Sequence, residues 1–404
     1  TIPQFFSRRF RDDKNILAVL AAVIIIIFFI PYTASGFAAC GKLFSSLFGM
    51  NYMTAMIISA VVIVAYTTAG GFFAASATDF VQSIIMTVAI VFVLVFSTIS
   101  AGGVDAVVEN AKALPGYLSL TASYIEDTGK SEPYNLLHII TTLSWGLGYF
   151  GMPHILLRFM AIEDEKKLRL SRRVASVWVV IAMAMAVLIG IVGRALSNTG
   201  LVDQLHGNDT ETIIVRVAHL LSTYGAFPAI MAGLILAGIL ASTMSTADSQ
   251  LLAAASSVSE NILREAFHLK ISEKKSMLAA RLTVIGIAIL GIIIARNPDS
   301  SVFGIVSFAW AGFGAAFGPL VICSLFWKRT TLPGAIAGMA SGGAMVFIWK
   351  YLIKPIGGVF GIYELLPAFL VGLVLMVIVS LCTKAPSKEI TDEFDRVKAM
   401  GKAK

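Results

Sequence analysis

Residues 145–161 read WGLGYFGMPHILLRFMA. Gly146, Gly148, Gly151 and Pro153 fall within eight positions of an otherwise apolar run. Glycine loosens a helix, and proline removes one of its hydrogen bonds. In hydrocarbon the freed backbone groups need partners, so irregular backbone persists only where protein or a wet cavity lines it. Discontinuous spans of this kind hold the midplane sites of secondary transporters. A proline kink that merely accommodates neighbouring helices has the same composition. Trp145, Tyr149 and Pro153 recur at helical spacing, which places them on nearby faces. The run is predicted to be an interrupted membrane helix, either discontinuous around a site or kinked for packing.

The rest of the chain sets that run in lipid. Of 404 residues, 57% are apolar or aromatic and only 14% are charged, against roughly 25% charged in soluble domains. Mean hydropathy is +0.84. No soluble domain of this size hides so much apolar surface. The net charge of +7 does not point to nucleic acid, because the basic residues sit in short segments between apolar runs. A hydrocarbon core ~30 Å thick needs about 20 helical residues. Ten runs meet that length: 15–41, 52–69, 77–101, 135–157, 174–197, 226–254, 277–295, 301–326, 332–353 and 363–383. All are expected to be helices, since a spanning chain satisfies its own backbone. The fold class expected is an all-α membrane protein.

Orientation follows from the bias of Lys and Arg toward cytoplasmic segments. With the N-terminus inside, 23 of the 31 basic residues fall on the inner side, including Arg158, Lys270 and six in the tail from Lys384 to Lys404. The chain then divides into a cytoplasmic leading segment (1–14), a transmembrane domain (15–383) and a cytoplasmic tail (384–404). Two longer outer connections, 102–134 and 198–225, carry amphipathic stretches, VDAVVENAKAL and ETIIVRVAHLLSTY. These read as lid helices over a cavity or as ordinary surface loops. Cys40, Cys323 and Cys382 have no disulfide or metal spacing and read as small core residues. The first apolar run is too long for a signal peptide, and the opening Thr1 points to a processed chain or a fragment.

The sixth run contains STMSTADSQLL (242–252). Ser242, Ser245, Thr246 and Ser249 form a hydroxyl stripe at helical spacing. Such oxygens suit a small hard cation such as Na⁺, and they equally suit close helix packing. Asp248 is costly in a span, ~2.5–3.5 kcal/mol on insertion scales, and calls for a partner or a wet cavity. It is a candidate cation or proton site. Asp79 opens the third run, either as part of an inner cation pathway or as a carboxylate favoured by its helix dipole. Tyr32, after the kink-forming Pro31, needs a partner or a cavity for its hydroxyl. Gly334, Gly338 and Gly342 form a GxxxGxxxG close-packing stripe. His138 and His154 lack metal-ligand spacing, and no hydrolase elbow, HExxH, P-loop or dinucleotide motif stands in a suitable setting.

WGLGYFGMPHILLRFMA (145–161), STMSTADSQLL (242–252), FAWAGFGAAFGP (308–319) and TLPGAIAGM (331–339) together resemble the sodium:solute symporter family, most closely its sodium/proline members. The resemblance runs from TIPQFFSRRF through the KAPS after the last span. It implies the LeuT-type inverted-repeat fold and Na⁺-driven import of a small zwitterionic amino acid, L-proline foremost. Trp145, Tyr149, Pro153 and Tyr32 then fall at substrate and outer-gate positions. Ser245 and Thr246 fall at side-chain Na⁺ ligand positions and Ser242 at a main-chain one, while Asp79 matches an inner acidic residue implicated in Na⁺ handling. The resemblance also implies thirteen spans, with this chain starting after the third, so half of the cation shell would come from residues before Thr1. Departures from the pattern are Ser242 where Ala is common, Met152 where Gln is common, and Asp248 where an uncharged residue is usual. The expected partners are proline, Na⁺ and the bilayer, with no nucleic acid, in a monomer or weak oligomer. Another small organic solute, or a symporter-like sensor domain, is the alternative.

Overall fold

The computed structural model describes residues 1–126, 128–269 and 271–402. Lys270 and Lys404, both counted above on the inner side, lie outside the described residues. Helix α1 (Ile2–Phe10) opens with a capping box between Thr1 and Gln4 and ends at Arg11 in the left-handed region. Helix α2 (Ile16–Phe48) carries Pro31 in its interior. The long α3 (Tyr52–Ser100) is two spans joined at Gly71, whose φ of 64° and ψ of −174° break the helix. Only glycine adopts that backbone without strain. Tyr66 and Thr78 hydrogen-bond across the break. Twelve residues of straight helix would hold them ~18 Å apart, so the two arms fold toward each other.

The connection after α3 holds α4 (Val104–Ala113) and then two short antiparallel strands, β1 (Ala122–Ile125) paired with β2 (Lys130–Pro133). The helix matches the amphipathic stretch; the strand pair departs from the all-helical expectation. Its strands are four residues each, too short for alternation to show in sequence. The broken span follows in three pieces: α5 (Leu136–Leu143), α6 (Trp145–Gly148) with a 3-10 turn over Tyr149–Gly151, and α7 (Pro153–Met160). Next come α8 (Leu168–Asn198), the second long connection with α9 (Ile213–Ser222), and α10 (Ala226–Ser256), which runs on as π-helix to Ala266. Then α11 (Glu273–Ile294), α12 (Val302–Phe326), α13 (Leu332–Ile348) and α14 (Leu365–Cys382) complete the bundle, and α15 (Lys388–Lys402) forms the tail.

Among the described residues nine helical segments are long and apolar enough to cross a bilayer, and the broken span is the tenth run. The main core gathers α1, α2, α12, α13, α14 and the inner part of α10 around Phe28, Phe29, Phe313 and Phe317. Helix α12 is the most enclosed, with every residue from Phe308 to Val321 buried. A second cluster packs the arm of α3 that follows Gly71 against α8, α9 and α10. The glycine stripe on α13 acts as expected. A Cβ on Gly334 would stand 2.0 Å from Ser380 Oγ, and one on Gly342 would stand 2.2 Å from the Ala315 carbonyl oxygen. Cys40 and Cys323 are buried and free; Cys382 is free and exposed.

Candidate functional site: a broken span and a carboxylate-lined polar network

The break in the fourth run falls at Met152, whose φ of −78° and ψ of 108° are extended. A residue before proline is pushed out of the helical region by the ring's Cδ, so Pro153 sets the break and starts α7. The glycines have a different task. A Cβ on Gly148 would come within 1.9 Å of Trp310 Nε1, and one on Gly151 within 2.2 Å of the Phe313 carbonyl oxygen. They let the broken span lie directly against α12, while Gly146 faces open space.

Trp145 slots between Phe303 and Trp310 of α12, with ring centroids 5.4 and 5.2 Å away and planes nearly parallel. Tyr363 stacks on it at 5.8 Å, and the Trp310 indole donates to the Trp145 carbonyl at 3.0 Å. Tyr149 stands edge-on to Trp310 at 4.8 Å and stays 42% exposed. Pro153 is buried. On α2, the Tyr32 ring meets His154 edge-on at 5.8 Å. His154 Nδ1 is buried with no hydrogen-bond partner among the described residues. Trp145 and Tyr149 thus form an aromatic wall with Trp310 of α12, and Tyr32 of α2 reaches the broken span at His154, next to the break that Pro153 sets.

The hydroxyl stripe lies on α10. Ser245 Oγ and Thr246 Oγ1 both donate to the Ser242 carbonyl, at 3.2 and 3.0 Å. Ser242 is exposed, and Ser245 and Thr246 are half-buried. The aromatic wall and the stripe are not joined directly by any ring contact or hydrogen bond among the described residues. Helix α2 mediates: Tyr32 meets the broken span at His154, and its neighbour Thr33 donates to Gln250 on α10 at 3.2 Å.

One turn further along α10 the polar groups converge. Arg158, near the end of α7, donates from Nη1 to Ser76 Oγ at 2.8 Å and from Nη2 to Ser249 Oγ at 2.7 Å. Its Nη2 also forms a tight ion pair with Asp79 Oδ2, and the guanidinium lies over Phe72 at 5.5 Å. Beside it, Asp248 is fully buried and accepts from the Tyr66 hydroxyl at 3.2 Å. Asp79 and Asp248 are close enough to repel each other, with Arg158 the cation that faces both. Each keeps one buried oxygen, Oδ1, without a partner among the described residues. A buried carboxylate oxygen lacking a donor is where a cation or proton gains most.

A profile of the sodium:solute symporter family matches residues 1–342. The chain belongs to the sodium:solute symporter family. It is 38% identical over its full length to "Sodium/proline symporter 2" of Staphylococcus saprophyticus, covering 76% of that protein. It is 39% identical to the "Osmoregulated proline transporter OpuE" of Bacillus subtilis, across 96% of this chain and 75% of that one. Among solved structures it superposes on a Na⁺-coupled sialic acid symporter in a substrate-bound outward-open state, with a TM-score of 0.74 and 18% identity. That alignment covers 96% of this chain and 78% of the other. The likeness shows the fold, the LeuT-type helical architecture. The protein is a multi-pass membrane transporter and not an enzyme.

For this symporter-family chain, reading the sequence picks out Asp79 and Asp248 and misses the groups that frame them. Arg158 reads there as one more inner-side basic residue. Tyr66, Ser76 and Thr78 carry no local signal. Trp310, the hub of the aromatic wall, reads as packing in a small-residue run. The one available clue is that Arg158 sits five residues after Pro153, still within the apolar helix.

Proposed function

We propose that the chain imports L-proline together with Na⁺ across the cytoplasmic membrane by alternating access, with both its ends in the cytoplasm. The full-length 38% identity to a curated sodium/proline symporter carries this reading, and a broken span beside a hydroxyl-bearing helix supports it. Tyr149 and Tyr32 line the substrate wall, Pro153 fixes the break that opens it, and Trp145 forms its outer gate by sliding against α12. Ser245 and Thr246 turn their hydroxyl oxygens to Na⁺ beside the Ser242 carbonyl, exchanging their present hydrogen bonds for the ion. Asp79 serves the inner Na⁺ pathway, and Asp248 takes a second cation or a proton.

The charge of bound Na⁺ favours the substrate carboxylate, and the substrate in turn favours Na⁺, by the reciprocity of linked binding. Rocking of one repeat against the other then exposes the site to each side. Reconstituted in liposomes as the full-length protein, it takes up radiolabelled L-proline when an inward Na⁺ gradient is imposed. Uptake that is equal with Na⁺ or with K⁺ outside would end the coupling claim. Ser245→Ala and Thr246→Ala are expected to raise the Na⁺ concentration for half-maximal uptake more than they lower the maximal rate. Unchanged Na⁺ activation would return the stripe to helix packing.

A further inference from the structure

A cavity of about 690 Å³ opens where α1, the inner end of α12 and the tail helix α15 meet. Its lining includes four basic residues, Arg8, Arg9, Arg11 and Lys398, and a single acidic one, Glu393. Glu393 is already engaged: Arg11 Nη2 bonds it at 2.9 Å, and Arg11 also pairs with Glu389 at 2.9 Å. Arg9 donates Nε to the Ser324 carbonyl at 3.0 Å. Its guanidinium lies 5.2 Å from the Phe10 ring and 5.3 Å from Phe394. Both Nη atoms are shielded and lack an acceptor among the described residues. Burial makes that charge costly and lowers the Arg9 pKa. Arg8 and Lys398 are exposed and have no ion-pair partner among the described residues. The remaining wall is apolar, and Leu325 and Phe326, 51% and 78% exposed, project from the last turn of a membrane span.

An unbalanced cationic rim beside exposed apolar side chains at a span's end matches one chemistry: a phosphodiester carrying acyl chains. We propose that this cavity binds an anionic phospholipid, with its phosphate between Arg8 and Lys398 and its chains along Leu325 and Phe326. A soluble phosphate ester would leave the apolar wall unused. The proposal rests on the orientation given above only for its choice of the inner leaflet. The lipid bridges α1 and α15, which otherwise meet through Arg11 and the Arg9–Phe394 contact, and so fastens the tail beneath α12.

The test uses nanodiscs of phosphatidylcholine doped with phosphatidylglycerol, lipid retained by the released protein being read by native mass spectrometry. Because both leaflets carry both lipids, the measurement does not depend on orientation or on transport. Phosphatidylglycerol is expected to be retained over phosphatidylcholine. Removing each cation costs about fivefold in retention, so Arg8→Gln with Lys398→Gln loses about 25-fold. Both side chains are exposed, so this double variant folds. The control pair Lys112→Gln with Lys130→Gln, in the opposite connection, leaves retention unchanged. Glycerol 3-phosphate in excess leaves phosphatidylglycerol bound. Equal retention of the two lipids, full retention by the Arg8/Lys398 variant, or displacement by glycerol 3-phosphate would each overturn the proposal.

Discussion

The two halves of the broken span are held by opposite kinds of force. The half before the break is held by ring faces: Trp145 between Phe303 and Trp310, with Tyr149 against the edge of Trp310. The half after it is held by Arg158, which bonds Ser76, Asp79 and Ser249 on two other helices. Aromatic stacks tolerate sliding, because offset geometries differ little in energy. A guanidinium locked to a carboxylate does not, because its bonds are directional and its charge is expensive to strand. The half before the break therefore yields more readily, and the half after it can move only by exchanging the Arg158 contacts for other partners.

The largest expected effect follows from removing that cation. Arg158→Ala leaves Asp79 and Asp248 facing each other without it. The loss is on the order of 2–3 kcal/mol, short of the ~3–5 of a fully buried pair because both partners keep some exposure. Thermal unfolding in detergent reads it, and adding Asp79→Asn to Arg158→Ala recovers a substantial part. A double variant no more stable than Arg158→Ala would show that the carboxylate is not what the guanidinium compensates.

A smaller effect is expected on the half before the break. Gly148→Ala drives a methyl into the Trp310 indole, and overpacking of this kind costs about 1–3 kcal/mol. Gly146→Ala, two residues away in open space, is expected to change the unfolding temperature little. Equal effects at the two positions would mean that the glycines serve backbone flexibility and not close approach.

The smallest effect concerns Glu211, just before α9. Its carboxylate accepts from Lys42 Nζ at 2.9 Å, Ser301 Oγ at 2.8 Å, and the Val302 and Phe303 amides at 3.2 and 3.3 Å. It thereby caps the helix that carries Phe303 and Trp310. Burial alone would raise its pKa, but these four donors hold it below the ordinary 4.5. A depressed carboxylate adds stability above its unfolded value, and that stability is lost as pH falls through its folded value. Glu211→Gln is expected to cost about 1 kcal/mol at neutral pH, as for a lost helix cap. The gap between variant and parent should close at acidic pH, read by thermal unfolding at stepped pH. A gap independent of pH would assign the loss to shape alone.

Much of this was legible before any coordinates. The ten apolar runs, the helical character of VDAVVENAKAL and ETIIVRVAHLLSTY, the glycine stripe of α13 and the break before Pro153 are local properties, and local spacing records them. The convergence on Arg158 is not local: Ser76, Asp79 and Ser249 lie 82, 79 and 91 residues from it. No periodicity encodes a meeting at that separation. Trp310 was hidden for the same reason, since its partner carbonyl is 165 residues away. The strand pair at 122–133 went unread because four-residue strands are shorter than any pattern that identifies them.

Gly71 leaves no slack between two neighbouring spans. Most membrane helices are joined by loops that absorb relative motion, but here the chain reverses through one residue, and Tyr66 clasps Thr78 across the corner. The arms form a V whose apex is a single rotatable bond pair. Asp79 sits on one arm just past the apex and Tyr66, the donor to Asp248, on the other. A tilt of one arm against the other moves Asp79 relative to Tyr66, and so changes the surroundings of both carboxylates together.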